Sequence, residues 1–109
     1  MAMDTPIRDF LRQYLAGDFS RLHLPGHKGR GPLGCESLDI TEISGADSLY
    51  QAAGVIAASE AHAAALFGSG ASFYSAGGAS QCIRAMLYLA VKAKTAPGRP
   101  LVLASRNAH

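Results

Sequence analysis

Phe73-Tyr74-Ser75-Ala76-Gly77-Gly78-Ala79-Ser80-Gln81 is the stretch whose reading decides the fold. A short apolar run ends at Tyr74, two glycines interrupt it, and the apolar period then changes. Beyond Ser80, residues Ile83, Met86, Leu87 and Ala90 fall on one helical face, and Ala96-Pro97-Gly98 ends the pattern. The predicted order is a strand over 71–74, a glycine turn over 76–79, and a helix from Ser80 to about Lys94. Working outward, an alanine-rich segment at 55–67 stopped by Gly68 predicts a helix before the strand. The apolar run at 101–104 predicts a second strand after it. Helix, strand, glycine turn, helix, strand is the alternation of a parallel α/β unit. Two strands cannot cover the faces of three helices, so the expected architecture is α/β with an incomplete, parallel-type sheet and flanking helices.

The glycine turn is also the most mechanistic feature. Glycines let a ligand approach the backbone, and the first N–H groups of the following helix lack intrahelical acceptors beside the positive end of its dipole. That arrangement suits a phosphate, with the Ser80 hydroxyl as an added donor. On physics alone a plain strand-to-helix turn accounts for the same residues slightly better, since a lone glycine turn is a weak signal. No Gly-Lys-Ser/Thr follows, so the turn is not a P-loop. Gly68-Ser69-Gly70 precedes a strand and lacks the third glycine of a dinucleotide fingerprint.

Upstream, Asp4 or Thr5 can cap a helix with Pro6 at its first position. Ile7, Phe10, Leu11, Tyr14 and Leu15 form its apolar face, and Gly17 predicts a left-handed stop. From 18 to 54 neither helical nor strand periodicity survives, and loops this long are often functional or lie against a partner. Within it, His23-Leu24-Pro25-Gly26-His27-Lys28-Gly29 gathers two histidines and a lysine in a glycine-proline loop suited to binding. His23 and His27 could face a metal but lack a carboxylate or cysteine at a clear spacing, and a solvated basic turn accounts for the same residues. Asp39, Glu42 and Asp47 are read as capping or solvated groups more readily than as an acid/base pair. His62 is read as helix surface. His109 follows the second predicted strand, where α/β folds place ligands, although a frayed end is the stronger reading of a lone terminal histidine.

Composition bounds the function. The 109 residues are 49% hydrophobic and 17% charged, a globular balance. A net charge of +2 with scattered Lys and Arg argues against nucleic acid. No apolar run reaches membrane-helix length and the first residues lack a secretory pattern, so no membrane is expected and the cytoplasm is the expected compartment. Cys35 and Cys82 fit neither a metal motif nor a disulfide framework. Because the last apolar run has only begun to deliver polar residues at its end, the chain is expected to be the front of a longer one.

Several motifs together resemble a known family. His23-Leu24-Pro25-Gly26-His27-Lys28-Gly29 is similar to the His-x-Pro-Gly-His-Lys-Gly opening of the fold-type-I pyridoxal-phosphate-dependent ornithine/lysine/arginine decarboxylases. Asp39-Ile40-Thr41-Glu42-Ile43-Ser44-Gly45-Ala46-Asp47-Ser48-Leu49 resembles that family's Asp-x-Thr-Glu-Ile-x-Gly-x-Asp-x-Leu, and Gly54-Val55-Ile56 its Gly-x-Ile. Ala64-Ala65-Leu66-Phe67-Gly68 resembles its next helix end, and Arg106-Asn107-Ala108-His109 its Arg-Asn-x-His. The resemblance runs from Thr5 onward, with the motifs in order. It implies the N-terminal portion of an aspartate-aminotransferase-like domain, divided here into an N-terminal helix plus irregular active-site or interface segment at 1–54 and the start of the cofactor-binding domain at 55–109.

The resemblance also implies roles. Gly77, Gly78, Ala79 and Ser80 would hold the 5′-phosphate of pyridoxal phosphate, and His109 would stack on its ring. His27 and Lys28 would lie near the active site and a subunit interface. The family turn usually is Asn-Gly-Ser/Thr-Thr-Ser-Gly-Asn, whereas Ala76-Gly77-Gly78-Ala79-Ser80-Gln81-Cys82 lacks two of its hydroxyls, leaving backbone donors and Ser80. The family's Schiff-base lysine lies downstream of the matched motifs, and Lys28, Lys92 and Lys94 do not correspond to it. The expectation is a piece of a decarboxylase of lysine, arginine or ornithine, inactive alone, from a homodimer or higher oligomer. The alternatives are another fold-type-I activity, an aminotransferase or lyase, or a non-catalytic short protein docking onto a full-length relative.

Overall fold

The computed structural model describes residues 4–94 and 97–107. Helix α1 (Pro6–Ala16) is followed by a single 3-10 turn (Glu36–Leu38), helix α2 (Val55–Phe67) and helix α3 (Gly78–Lys92). The chain divides after Tyr74 into two compact units. No helix among the described residues is long and apolar enough to cross a membrane.

In the first unit, α1 begins at Pro6, whose missing N–H leaves nothing unsatisfied there. Its cap runs in the reverse sense to the usual one: Asp9, in the first turn, accepts the Thr5 N–H and the Thr5 hydroxyl, both at 3.1 Å. Packing of α1 on α2 and on the 3-10 turn leaves Ile7, Phe10, Leu11 and Tyr14 half-buried. Phe10 lies against Gly45, whose φ is +83° and where an added Cβ would come within 3.0 Å of the ring. Helix α2 has the bounds that the alanine-rich pattern predicts. Gly68 ends it with φ +62°, the Ser69 N–H reaching Ala64 O at 2.9 Å and the Gly68 N–H reaching Ala65 O at 3.4 Å, the paired closure of a Schellman end. Gly17 differs from the expected left-handed stop. It is extended, at φ −80° and ψ 144°, and the Phe19 ring lies over it where an added Cβ would stand.

The α/β expectation is overturned. The structure is helical, and no strand occurs among the described residues. The two runs expected to be strands, 71–74 and 101–104, carry no regular structure. The physical reason is visible at Tyr74. Its N–H donates to the Glu60 carboxylate at 2.8 Å and its hydroxyl pairs with Ser59 Oγ at 2.7 Å. The backbone polar group that a sheet would require is satisfied by a side chain of α2. Runs of four residues without a neighbouring strand cannot form a sheet of their own. Among the described residues there is accordingly no parallel-type sheet and no aspartate-aminotransferase-like core.

The second unit is α3 with the turn before it and the segment after it. Helix α3 starts two residues earlier than the apolar period suggests, at Gly78, and its residues are all exposed. Across both units no hydrophobic residue among those described is fully buried; the buried side chain is Glu36, at 8% exposure.

Candidate functional site

Two clusters carry the predicted site residues, one in each unit. In the first, the loop 23–29 follows α1. Both of its imidazoles are fixed by hydrogen bonds on each ring nitrogen. The Leu24 carbonyl can only accept, so the proton of His23 sits on Nδ1, and Nε2 takes the Tyr14 hydroxyl at 2.7 Å. His27 has the opposite tautomer. The Gly29 N–H donates to its Nδ1 at 3.0 Å, so Nε2 carries the proton and donates it to Asp39 Oδ2 at 3.2 Å. With all four nitrogens engaged, the pair presents no lone pair to a metal, and no group of three or more metal-ligating residues exists among the described residues.

The backbone turns left-handed at Lys28 and Gly29, with φ +54° and +78°. This directs Lys28 Nζ back onto the His23 carbonyl at 2.7 Å. Gly29 is required twice, by its φ and because an added Cβ would collide with Arg21 Nη1. Arg21 lies 5.1 Å from the Tyr14 ring centroid and donates through Nη2 to Ser37 O at 2.8 Å. Tyr14 also stacks on Phe19, with centroids 5.6 Å apart and planes 6° from parallel. Phe19, Ser20, Arg21, His27, Lys28 and Arg30 line a concavity of about 600 Å³.

The 39–49 motif is structural. Asp47, at φ +67°, accepts backbone N–H groups from Ser48 at 2.8 Å, Ala53 at 3.1 Å, Gly54 at 2.7 Å and Ile56 at 3.1 Å. Desolvation pushes its pKa up, and the four donors outweigh it and hold the carboxyl at about 2, below the usual 3.8. Ile56 lies in the first turn of α2, so Asp47 closes the start of that helix from the preceding loop. Glu42 accepts the Ser48 hydroxyl at 2.7 Å. Glu36 accepts the Leu33 N–H at 2.7 Å, which lowers its pKa.

In the second unit, Ser75 to Ser80 form the glycine turn. The Ser75 hydroxyl donates to Gln81 Oε1 at 2.7 Å and accepts the Gly77 N–H at 3.2 Å. Gly78 has φ +69°, with nothing within 4 Å of an added Cβ. The N–H groups of Gly78, Ala79 and Ser80 have no acceptor among the described residues. Three consecutive donors therefore open onto solvent at the start of a 15-residue helix, with the Ser80 hydroxyl beside them. His109, the expected ring-stacking residue, lies outside the described residues.

The sequence places Tyr14 only on the apolar face of α1 and gives no signal at Arg21 or Arg30. The spacing Arg21-x-His23 carries no recognised signal. What could have pointed to Arg21 is Gly29, whose lack of a side chain admits the guanidinium. Asp39, the carboxylate partner of His27, stands twelve positions away, so the sequence alone presents it as a capping or solvated group.

No family model and no solved structure matches the chain. It is similar to a protein of Bacillus subtilis (strain 168) described as "Uncharacterized protein YaaO", with 28% identity over an alignment of 116 positions that takes in 98% of this chain. The chain spans 23% of the length of that relative.

Proposed function

We propose that this chain belongs to a pyridoxal-phosphate-dependent decarboxylase of a basic amino acid, and that its own contribution is to hold the cofactor's phosphate at the glycine turn. The observation carrying this is Gly78, left-handed and open to approach, heading three consecutive N–H groups without acceptors among the described residues. Ordered motifs resembling the ornithine/lysine/arginine decarboxylases support the same reading. The residues fit the phosphate end of the group. A dianion would take the Gly78 and Ala79 N–H groups and the Ser80 hydroxyl, and the positive end of α3 would favour its charge. Pyridoxal phosphate, when bound, supplies the electron sink for loss of the α-carboxyl. Its ring would fall to His109.

No lysine of this chain corresponds to the family's Schiff-base lysine. Lys28 Nζ donates to His23 O, Lys92 Nζ lies 5.5 Å from the Tyr88 ring centroid, and Lys94 Nζ donates to the carbonyls of Gly98 and Arg99. The 109-residue chain alone is therefore expected to release no carbon dioxide from lysine, arginine or ornithine. A basic amino-acid substrate, a homodimer or higher oligomer and a cytoplasmic location go with the same proposal.

Equilibrium dialysis of the chain against pyridoxal phosphate and against pyridoxal tests it. The phosphorylated compound should be retained and the unphosphorylated one not. Ser80→Ala should weaken retention about tenfold, the scale of one lost hydrogen bond to a charged oxygen. Equal retention of both compounds, or an unchanged Ser80→Ala, would overturn the phosphate-turn reading.

A further inference from the structure

The first unit holds a second concentration of unsatisfied donors, independent of the glycine turn. Arg21, Lys28 and Arg30 line one concavity, and among the described residues none of them has a carboxylate oxygen within 4.0 Å. Asp39 is engaged instead by the neutral His27 ring, through a hydrogen bond. Arg21 Nη1 is shut from solvent with no hydrogen-bond partner, while Nη2 of the same group is satisfied by Ser37 O. A guanidinium nitrogen without an acceptor is a costly arrangement, and it leaves Arg21 uncompensated within the cluster. Lys28 uses one of its three donors on His23 O. The remaining lining adds the Ser20 hydroxyl and the Phe19 ring.

From this geometry we infer that the 19–30 segment binds a small dianionic tetrahedral oxyanion, a phosphate or phosphate monoester, between Arg21, Lys28 and Arg30. Three cations with no compensating carboxylate call for more than one negative charge, which a single carboxylate does not supply. The chain's net charge of only +2 and its scattered cations favour a small ligand over a polymer. The left-handed turn at Lys28 and Gly29 shapes this lining. It carries Lys28 back toward His23 and lets Arg21 approach the backbone where a side chain would stand.

Nuclear magnetic resonance of the full 109-residue chain tests the site. Inorganic phosphate and glycerol phosphate are titrated separately, against sodium chloride at matched ionic strength. Saturable shifts are expected at the backbone amides of Arg21, Gly29 and Arg30 and at the arginine Nε–H signals, and the tighter-binding probe identifies the source. Arg30→Gln, at an exposed position, should raise the dissociation constant about tenfold, as loss of one charge-assisted contact does. Lys28→Gln should act in the same direction and gives a second, independent charge deletion. Shifts that chloride reproduces, shifts confined to Gly78, Ala79 and Ser80, or a dissociation constant unchanged in both variants would each overturn the proposal.

Discussion

Asp39 accepts the Nε2 proton of His27 at 3.2 Å, and this bond ties together two motifs that stand twelve residues apart. It fixes the tautomer of His27 from one side while the Gly29 N–H fixes it from the other. The pair is partly exposed, with side-chain exposures of 27% and 62%. Its worth to stability is therefore small. Asp39→Ala should change the unfolding free energy by less than about 1 kcal/mol. The imidazole nitrogen shifts of His27 should nonetheless move, because one of the two tautomer locks is gone. A large loss of stability in urea titration would contradict this assignment.

Asp47 is the carboxylate whose protonation matters. Its pKa is lower in the folded chain than the usual 3.8, at about 2. A depressed folded-state value means that its stabilisation is fully present above about pH 4 and is lost as pH falls toward 2. The start of α2 should loosen in that window. Hydrogen exchange at Gly54 and Ile56 measures this. Asp47→Ala should remove the acid step and lower the melting temperature at neutral pH by roughly 4–8 °C, the scale of a lost helix cap.

Gly29 admits no side chain without strain. Gly29→Ala places a Cβ at φ +78° and against Arg21 Nη1. The left-handed backbone alone should cost about 1–2 kcal/mol, read from the urea midpoint. Phosphate affinity at the 19–30 segment should fall with it, since the guanidinium must move.

Gly78 separates phosphate binding from general stability. Gly78→Val introduces a β-branched residue at φ +69°, which such residues rarely adopt. The helix should start later, and pyridoxal phosphate retention should drop by about tenfold or more, as for loss of at least one contact to a charged oxygen. The amide signals of the first unit should stay in place.

The three helices were legible because each follows from short-range chemistry. Pro6 opens α1, alanines fill α2, and Ile83, Met86 and Leu87 pattern α3. Gly68 was legible as a stop for the same reason. The strands were not, because apolar β-type residues at 71–74 and 101–104 describe a preference that only a neighbouring strand can fulfil, and Tyr74 instead bonds to Glu60 and Ser59. Gly17 misled because the approach of Phe19 lies outside any helix-end rule. The capping reading of Asp47 could be suggested from its place in an irregular stretch, but its four donors come from as far as Ile56. Arg21 and Arg30 were invisible, since only the folded turn places them beside Lys28.

The exposure of α3 has a thermal consequence. Nothing in that helix is buried, so little links the state of one turn to the packing of another. A 15-residue helix held mainly by its own ladder sits near the length at which isolated helices are marginal in water. Its ellipticity should therefore decline gradually over tens of degrees, fraying from both ends in the manner of a peptide, while the signals of α1 and α2 disappear in a narrower step of their own.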